Sequence, residues 1–232
     1  MSGSSRGAFG GAVSLYGTGG HADVVADTLH ACEREIYDVF DDRRAEHFFG
    51  GRVVQPGIRS TGAAAHIPVD QPIIICIGDN RARADIAGLL PATFGIAIHP
   101  TALIGTDVSV DEGTVVFHRA AVQAGTWVGR HVIINTAATV EENCVINHFS
   151  HISPRAHVGA NVRIGEGAHV GAAAIITPGV RLGAWCVVGA GTVVTDDVPA
   201  YATIVGNPSR IITEPIPHAN AAAHSNGTVR DT

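Results

Sequence analysis

The sequence predicts two units in series: a small α/β domain with a parallel sheet over residues 11–97, then a solenoid of short parallel strands over 98–199. Three observations carry this. Every sixth residue from Ile98 to Val194 is Ile, Leu or Val, without a slip, which makes seventeen uninterrupted hexads. The fifth place of each hexad is as restricted, holding only Ala, Val, Thr, Cys or Ser from Ala102 to Val198. Upstream of the repeat, short apolar runs alternate with helix-like segments. A period of six matches neither a helix near 3.6 nor an irregular meander. It matches a coil whose flat sides are one hexad each, so three hexads, or eighteen residues, make one turn.

Residues 1–10 read as a loose tail. Ala12 to Tyr16 is a first strand that ends in Gly17-Thr18-Gly19-Gly20-His21. Residues 22–34 carry Val24, Val25, Leu29 and Cys32 among Ala and charges, and read as a helix. Ile36 to Phe40 is a second strand that ends at Asp41-Asp42, and Gln55-Pro56-Gly57 reads as a turn. Ile73 to Ile77 is a fully apolar strand before Gly78-Asp79-Asn80. Residues 81–90 are helix-like, and Phe94 to Ile98 leads into the solenoid. Strands alternating with helices imply parallel pairing.

In the solenoid, the first-place aliphatic fills the core of a narrow prism and the fifth place sits where only a small side chain fits. Glycines at the second place (105, 129, 159, 165, 171, 183, 189) are expected at corners that need unusual backbone angles. The pattern stops after Pro199. Residues 200–215 are expected to cap the prism, with a turn at Gly206-Asn207-Pro208-Ser209-Arg210, and 216–232 read as a disordered tail.

Composition excludes several classes. A net charge of −6 offers nothing to nucleic acid or an anionic membrane. No apolar run reaches the ~18 residues of a membrane span. Residues 1–7 have no apolar signal core, so a cytoplasmic location is expected. Cys32, Cys76, Cys144 and Cys186 form no CxxC pair and no zinc pattern. Cys144 and Cys186 lie more than two coils apart, roughly 11 Å at ~4.8 Å per coil, beyond disulfide reach. They read as small buried thiols.

The Gly-rich turn between strand and helix is the first chemical motif. It exposes backbone N–H groups beside a helix N-terminus and so makes a phosphate cradle. It departs from the full dinucleotide fingerprint. Asp41 and Asp42, after the second strand, are placed to accept from a ribose hydroxyl or a base N–H. The plainer alternative is a tight turn followed by a solvated acidic turn.

The hexads resemble the left-handed parallel β-helix of the hexapeptide-repeat acyltransferases. The stretch from about 13 to 213 is more similar to one subfamily, the sugar acyltransferases of the sialic-acid and bacillosamine pathways. The marks are Tyr16-Gly17-Thr18-Gly19-Gly20-His21, Asp41-Asp42, Gly78-Asp79-Asn80, Asn135-Thr136, Phe149-Ser150-His151 and Gly206-Asn207-Pro208, in order over some 200 residues. The resemblance implies a Rossmann-like N-terminal domain that binds a nucleotide sugar, left-handed coiling, and a homotrimer with active sites between neighbouring prisms. It implies acetyl-CoA (or another acyl-CoA) as co-substrate, no metal, and the amine of a UDP- or dTDP-linked amino sugar as acceptor. The substrate-binding residues implied are Gly17, Thr18, Gly19, Gly20, His21, Asp41, Asp42, Asn80 and Asn135. Those implied for the acyl donor are His151, Gly171, Gly189, Ala190, Gly206, Asn207, Pro208 and Arg210.

Acyl transfer to an amine needs a proton acceptor, donors for the oxyanion and an aligned thioester. In the resembling enzymes a His in a Glu-His-Glu/Asp-Cys stretch takes the proton. Here the stretch is Glu141-Glu142-Asn143-Cys144, so Glu142 replaces the base and Asn143 its orienting acid. Three replacements stand open. Glu142 itself is a weak base unless burial raises its pKa. His148 lies one hexad on. His151 matches a family His at the acyl-donor end, where it would donate to the thioester carbonyl. His118, one coil earlier, is a further source from a neighbouring subunit. His157 and His169 read equally as interface hydrogen-bonders. The rival functions are a sugar O-acetyltransferase and a non-catalytic nucleotide-sugar binder.

Overall fold

The computed structural model describes residues 11–42, 47–48, 52–57 and 71–213. The two predicted tails, 1–10 and 216–232, lie outside these residues. The N-terminal domain is a five-stranded sheet of order β3-β4-β2-β1-β5. Its strands are β1 (Val13–Tyr16), β2 (Ile36–Asp41), β3 (His47–Phe48), β4 (Arg52–Pro56) and β5 (Ile73–Ile75). All pairings are parallel except β3 with β4. The expected turn at Gln55-Pro56 is corrected: both residues end β4, and the chain leaves the sheet at Gly57, whose N–H donates to the Asp41 carbonyl at 2.8 Å. A proline at the end of a strand, where no further ladder donor is needed, misleads a reading that treats Pro-Gly as a turn.

Helix α1 (Gly20–Ala31) buries Ala22, Val25, Ala26 and Leu29, a stripe at helical spacing. That stripe packs with Val13, Leu15 and Ile74 of the sheet and with Ala97, Val115, Phe117 and Ile133 of the solenoid. Helix α2 (Asn80–Leu89) begins at Asp79, whose side chain accepts from the Ala82 N–H at 2.8 Å. Both helices therefore start at the carboxyl ends of β1 and β5, on the side facing the solenoid.

The solenoid is a parallel prism of three sheets. Strands pair eighteen residues apart, as in Ile133↔His151↔His169 and Trp127↔Val145. We name its faces by their middle strands: the first carries Thr139–Val140, the second Val145–Ile146 and the third His151–Ile152. The core is the predicted one. First-place Val116 to Val194 and fifth-place Ala120 to Cys186 are buried in one cluster. Each such aliphatic contributes ~1.5–3 kcal/mol. Cys144 and Cys186 are free, buried thiols. The Thr114 hydroxyl, at a fifth place, donates to the Gly129 carbonyl at 2.7 Å and accepts from the Val132 N–H at 3.0 Å.

The corners correct the expectation about glycine. The left-handed residue is the fourth place, not the second. Asp107, Gly113, Arg119, Gly125, His131, Ala137, Asn143 and Phe149 all have φ between +54° and +77°, and the series continues to Gly191. At each such place the N–H turns to the preceding coil, as Asn143 N–H does to the Ala124 carbonyl at 3.0 Å. The second-place glycines answer a different demand. A Cβ on Gly165 would stand 2.5 Å from the Ala184 amide nitrogen of the next coil. Close stacking of backbones, not a backbone angle, excludes a side chain there.

The prism also runs one strand past Pro199. Thr203–Val205 pairs parallel with Val187–Val188, sixteen residues earlier rather than eighteen, so the hexad count slips by two and hides it. The Gly206–Ser209 turn then reverses the chain, and Arg210–Thr213 closes antiparallel on Thr203–Val205. Among the described residues, no helix is long and apolar enough to cross a membrane.

Candidate active site

Two cavities meet where the N-terminal domain abuts the third face, and Gly78 lines both. The first, about 450 Å³, is walled by the Gly-rich turn with His21, Asp41, Asp42, Cys76 and Ile77. The second, about 490 Å³, lies between the start of α2 and the solenoid, among Arg81, His151, His169, Trp185 and Val187.

The Gly-rich turn is shaped by β1 and by Asp41. Gly17 has φ +111°, and a Cβ there would also press on the Cys76 carbonyl at 3.0 Å. Thr18 donates to the Asp41 carboxylate twice, from its N–H at 2.8 Å and its hydroxyl at 2.5 Å. Asp41 is thus drawn into holding the turn. Asp42, less buried, remains on the cavity wall. No side chain caps α1 at Gly19, so its first N–H groups open toward the cavity.

His21 follows this turn. Its ring packs edge-on against buried Phe117, centroids 5.4 Å apart, and stands 6.4 Å from the His151 ring. Burial and then the Arg83 charge hold its pKa down at about 4. His151 stacks 5.0 Å from His169 on the next coil. Burial, His169, Arg83 and His21 lower its pKa to about 3, against a small opposing pull from the Gly78 carbonyl. His169 is lowered too, chiefly by burial, and faces the Ser153 hydroxyl at 3.1 Å.

The tautomer of His151 follows from its neighbours. The Asn135 Oδ1 accepts from the Thr136 N–H at 2.8 Å, which turns the amide Nδ2 toward His151 Nε2 at 3.0 Å. Nε2 therefore accepts, and the neutral ring carries its proton on Nδ1. That Nδ1 is buried and makes no close hydrogen bond, though the Gly78 carbonyl faces it, and His21 Nε2 is buried without a partner.

Arg83 organises the junction and was not foreseen. Its guanidinium is 1% exposed. It donates to the carbonyls of His131 (2.9 Å), Ile77 (2.9 Å), Gly78 (3.2 Å) and Phe149 (2.8 Å), and to Asn80 Oδ1 (2.7 Å). A buried cation is balanced here by carbonyl dipoles from both units. Its solenoid partners are backbone carbonyls one coil apart, which no local motif signals.

The predicted residues divide accordingly. Gly17, Gly19, Gly20, His21, Asp41 and Asp42 gather in the first cavity, and Asn80 and His151 in the second. Thr18 sits behind the wall on Asp41. Asn80, on the wall of the second cavity, also acts as a strut: its amide donates to the Gly167 and Ala168 carbonyls and its Oδ1 receives Arg83. Glu142 and His148 do not join this group. Glu142 is exposed at the corner between the first and second faces. His148 is at the next corner, where its Nδ1 accepts from the Arg130 N–H at 2.8 Å and its ring meets Trp127. Gly171, Gly189 and Ala190 follow the third face. They continue, coil by coil, the column occupied by Phe117, Asn135 and Ser153, with the turn at Gly206, Asn207 and Pro208 and then Arg210 beyond them. Arg81, stacked 4.4 Å over the Trp185 ring, is a further wall residue that the sequence did not single out.

Known proteins match both parts of the chain. Residues 12–90 match the PglD N-terminal domain, residues 137–172 the bacterial transferase hexapeptide repeat, and residues 161–196 the hexapeptide repeat of succinyl-transferase. The acetyltransferase domain of PglB from Neisseria gonorrhoeae FA1090 is 32% identical, with a TM-score of 0.78 over 86% of this chain and 98% of that one. PerB from Caulobacter crescentus, solved with CoA and GDP-perosamine, is also 32% identical, with a TM-score of 0.78 over 87% and 97%. UDP-N-acetylbacillosamine N-acetyltransferase of Bacillus subtilis (strain 168) is 36% identical over 110 residues, a match spanning 45% of this chain and 50% of that relative. The chain belongs to the PglD/PglB family of hexapeptide-repeat sugar acetyltransferases.

Proposed function

We propose that the chain transfers an acyl group, most simply acetyl, from acyl-CoA to the amine of a nucleotide-linked amino sugar. The observation that carries this is the continuity of the two cavities across Gly78, with a phosphate cradle at one end and a histidine pair at the junction. A diphosphate at Gly19-Gly20 meets the uncapped N-terminus of α1, and Asp42 is placed for the nucleoside. The sugar then extends past His21 toward His151. Acyl donor would lie along the column after the third face, past Asn135 and Ser153 toward Gly171 and Gly189. UDP and dTDP are the expected nucleotides, and a cytoplasmic homotrimer the expected form.

The relatives support this reading, since PerB is described with CoA and GDP-perosamine and PglB with acetyl-CoA. The substitution of Glu142 for the family's base favours one rival, a nucleotide-sugar binder without turnover. A thiol-release assay separates the two. Acetyl-CoA with a panel of UDP-, dTDP- and GDP-linked amino sugars should release CoA only when an acceptor is present, and saturably with both substrates. Tight sugar binding with no thiol released on any acceptor would establish the rival.

A further inference from the structure

We propose that His21 is the base that replaces the missing corner histidine, while His151 holds the acyl carbonyl through its Nδ1–H. The assignment rests on the functional reading above and gives the two rings opposite duties.

The argument starts from which ring nitrogens are committed. His148 Nδ1 is taken by the Arg130 N–H. His169 shares Nε2 with the Ser153 hydroxyl and lines only the second cavity, away from the phosphate cradle. His151 spends Nε2 on Asn135, whose amide cannot flip without losing the Thr136 N–H, so its remaining nitrogen is a donor. His131 is sealed between Phe94 and Phe149, with both rings within 5.1 Å, and lines neither cavity. His21 is left, with a buried Nε2 that has no partner and a ring beside the phosphate cradle. The two rings, 6.4 Å apart, thus stand where the two cavities meet, one offering an acceptor and the other a donor.

The step balances. The amine lone pair attacks the thioester carbonyl carbon, the C–N bond forms and the oxyanion is met by His151 Nδ1–H. The ammonium proton of the adduct passes to His21 Nε2. Collapse breaks the C–S bond, and the departing thiolate takes that proton. Burial keeps the ring unprotonated when the adduct forms, but a pKa of about 4 makes it a weak acceptor, so the step requires the bound substrate to raise it.

Charge around His21 makes the device responsive to substrate. Burial and then Arg83 from α2 oppose its protonation, and His21 in turn helps to hold His151 neutral. Asp41, the last residue of β2, and Asp42 after it line the same cavity. A bound diphosphate at Gly19-Gly20, immediately before His21 in the chain, adds negative charge and favours the imidazolium. The acid limb of kcat, which reports the bound enzyme, should then lie at higher pH than that of kcat/KM, which reports the free one.

The test pairs kinetics with a measurement on the unaltered chain. His21→Gln should lower kcat about 100-fold or more, leave the calorimetric affinity for the nucleotide sugar within about threefold, and erase the acid limb. Nitrogen-15 spectra of the wild type should show His21 in the Nδ1–H tautomer, and its pKa should rise when the nucleotide sugar binds without CoA. The proposal is overturned if an active wild type keeps its kcat on His21→Gln, or if His21 Nε2 carries the proton in the free chain. It is equally overturned if Glu142→Gln abolishes transfer and His21→Gln does not, which would place the base on another chain's corner. A wild type that acylates no acceptor sinks the functional reading and this assignment with it.

Discussion

Two substitutions at neighbouring kinds of position in the hexad should have opposite effects. Ala173 holds φ +55° at a fourth place. A left-handed alanine costs ~1–2 kcal/mol, while glycine costs ~0.5–1 kcal/mol in chain entropy. Ala173→Gly should therefore raise stability by about 0.5 kcal/mol in urea denaturation. Gly165→Ala drives a methyl into the Ala184 amide and should lose ~1–3 kcal/mol. Reversed signs would refute the roles assigned to the two places. Arg83 is the costliest single residue at the junction. Arg83→Met leaves four carbonyls and Asn80 without their donor and should cost ~3 kcal/mol or more. A loss under 1 kcal/mol would show that water replaces the guanidinium freely.

Between the two units, the histidines make stability depend on pH. His21, His131 and His151 are held near pKa 4, 3 and 3 in the fold, against about 6.5 in the unfolded chain. The folded values are depressed, so below pH 6.5 the unfolded chain takes up protons that the fold refuses. Stability is full above about 6.5, falls as the pH drops, and levels off only near 3–4. Urea midpoints at pH 7.5, 6 and 5 should decline steadily, and flat midpoints would contradict the burial of these rings. His131 isolates the effect, since both its ring nitrogens lack partners between Phe94 and Phe149. His131→Phe should be more stable than the wild type at pH 5 and should titrate less. Phe149 already shows that a phenyl ring sits well at a fourth place.

Elements with a strict period were legible in the sequence, because each hexad makes the same contacts as the next and side-chain size reports its place directly. The helices were legible from the stripe of α1 and from the helix-like run over 81–90. Strand β4 was hidden by Gln55-Pro56-Gly57, and Thr203–Val205 by a coil shortened by two residues. At the site, the Gly-rich turn, Asp42 and His151 were readable, since motif and chemistry coincide there. Arg83 and the strut role of Asn80 were not, because their partners are carbonyls supplied by His131, Phe149 and Gly167, which only the folded prism brings near.

For the molecule as a whole, the expected trimer gives Glu142 a possible use that the single chain does not, since its corner lies away from the cavities. Sedimentation should report three copies, and a monomer that still turns over would show that one chain holds the complete site. The central claim is the chemistry of the acceptor. It is tested by giving the wild type acetyl-CoA and two nucleotide sugars that differ only in an amine or a hydroxyl at the same carbon, and then locating the acetyl group by mass and NMR spectra. The account predicts one N-acetyl group per CoA released from the amine, and no acetylation of the hydroxyl partner. Equal acetylation of the two, or thiol release that ignores both, would contradict it.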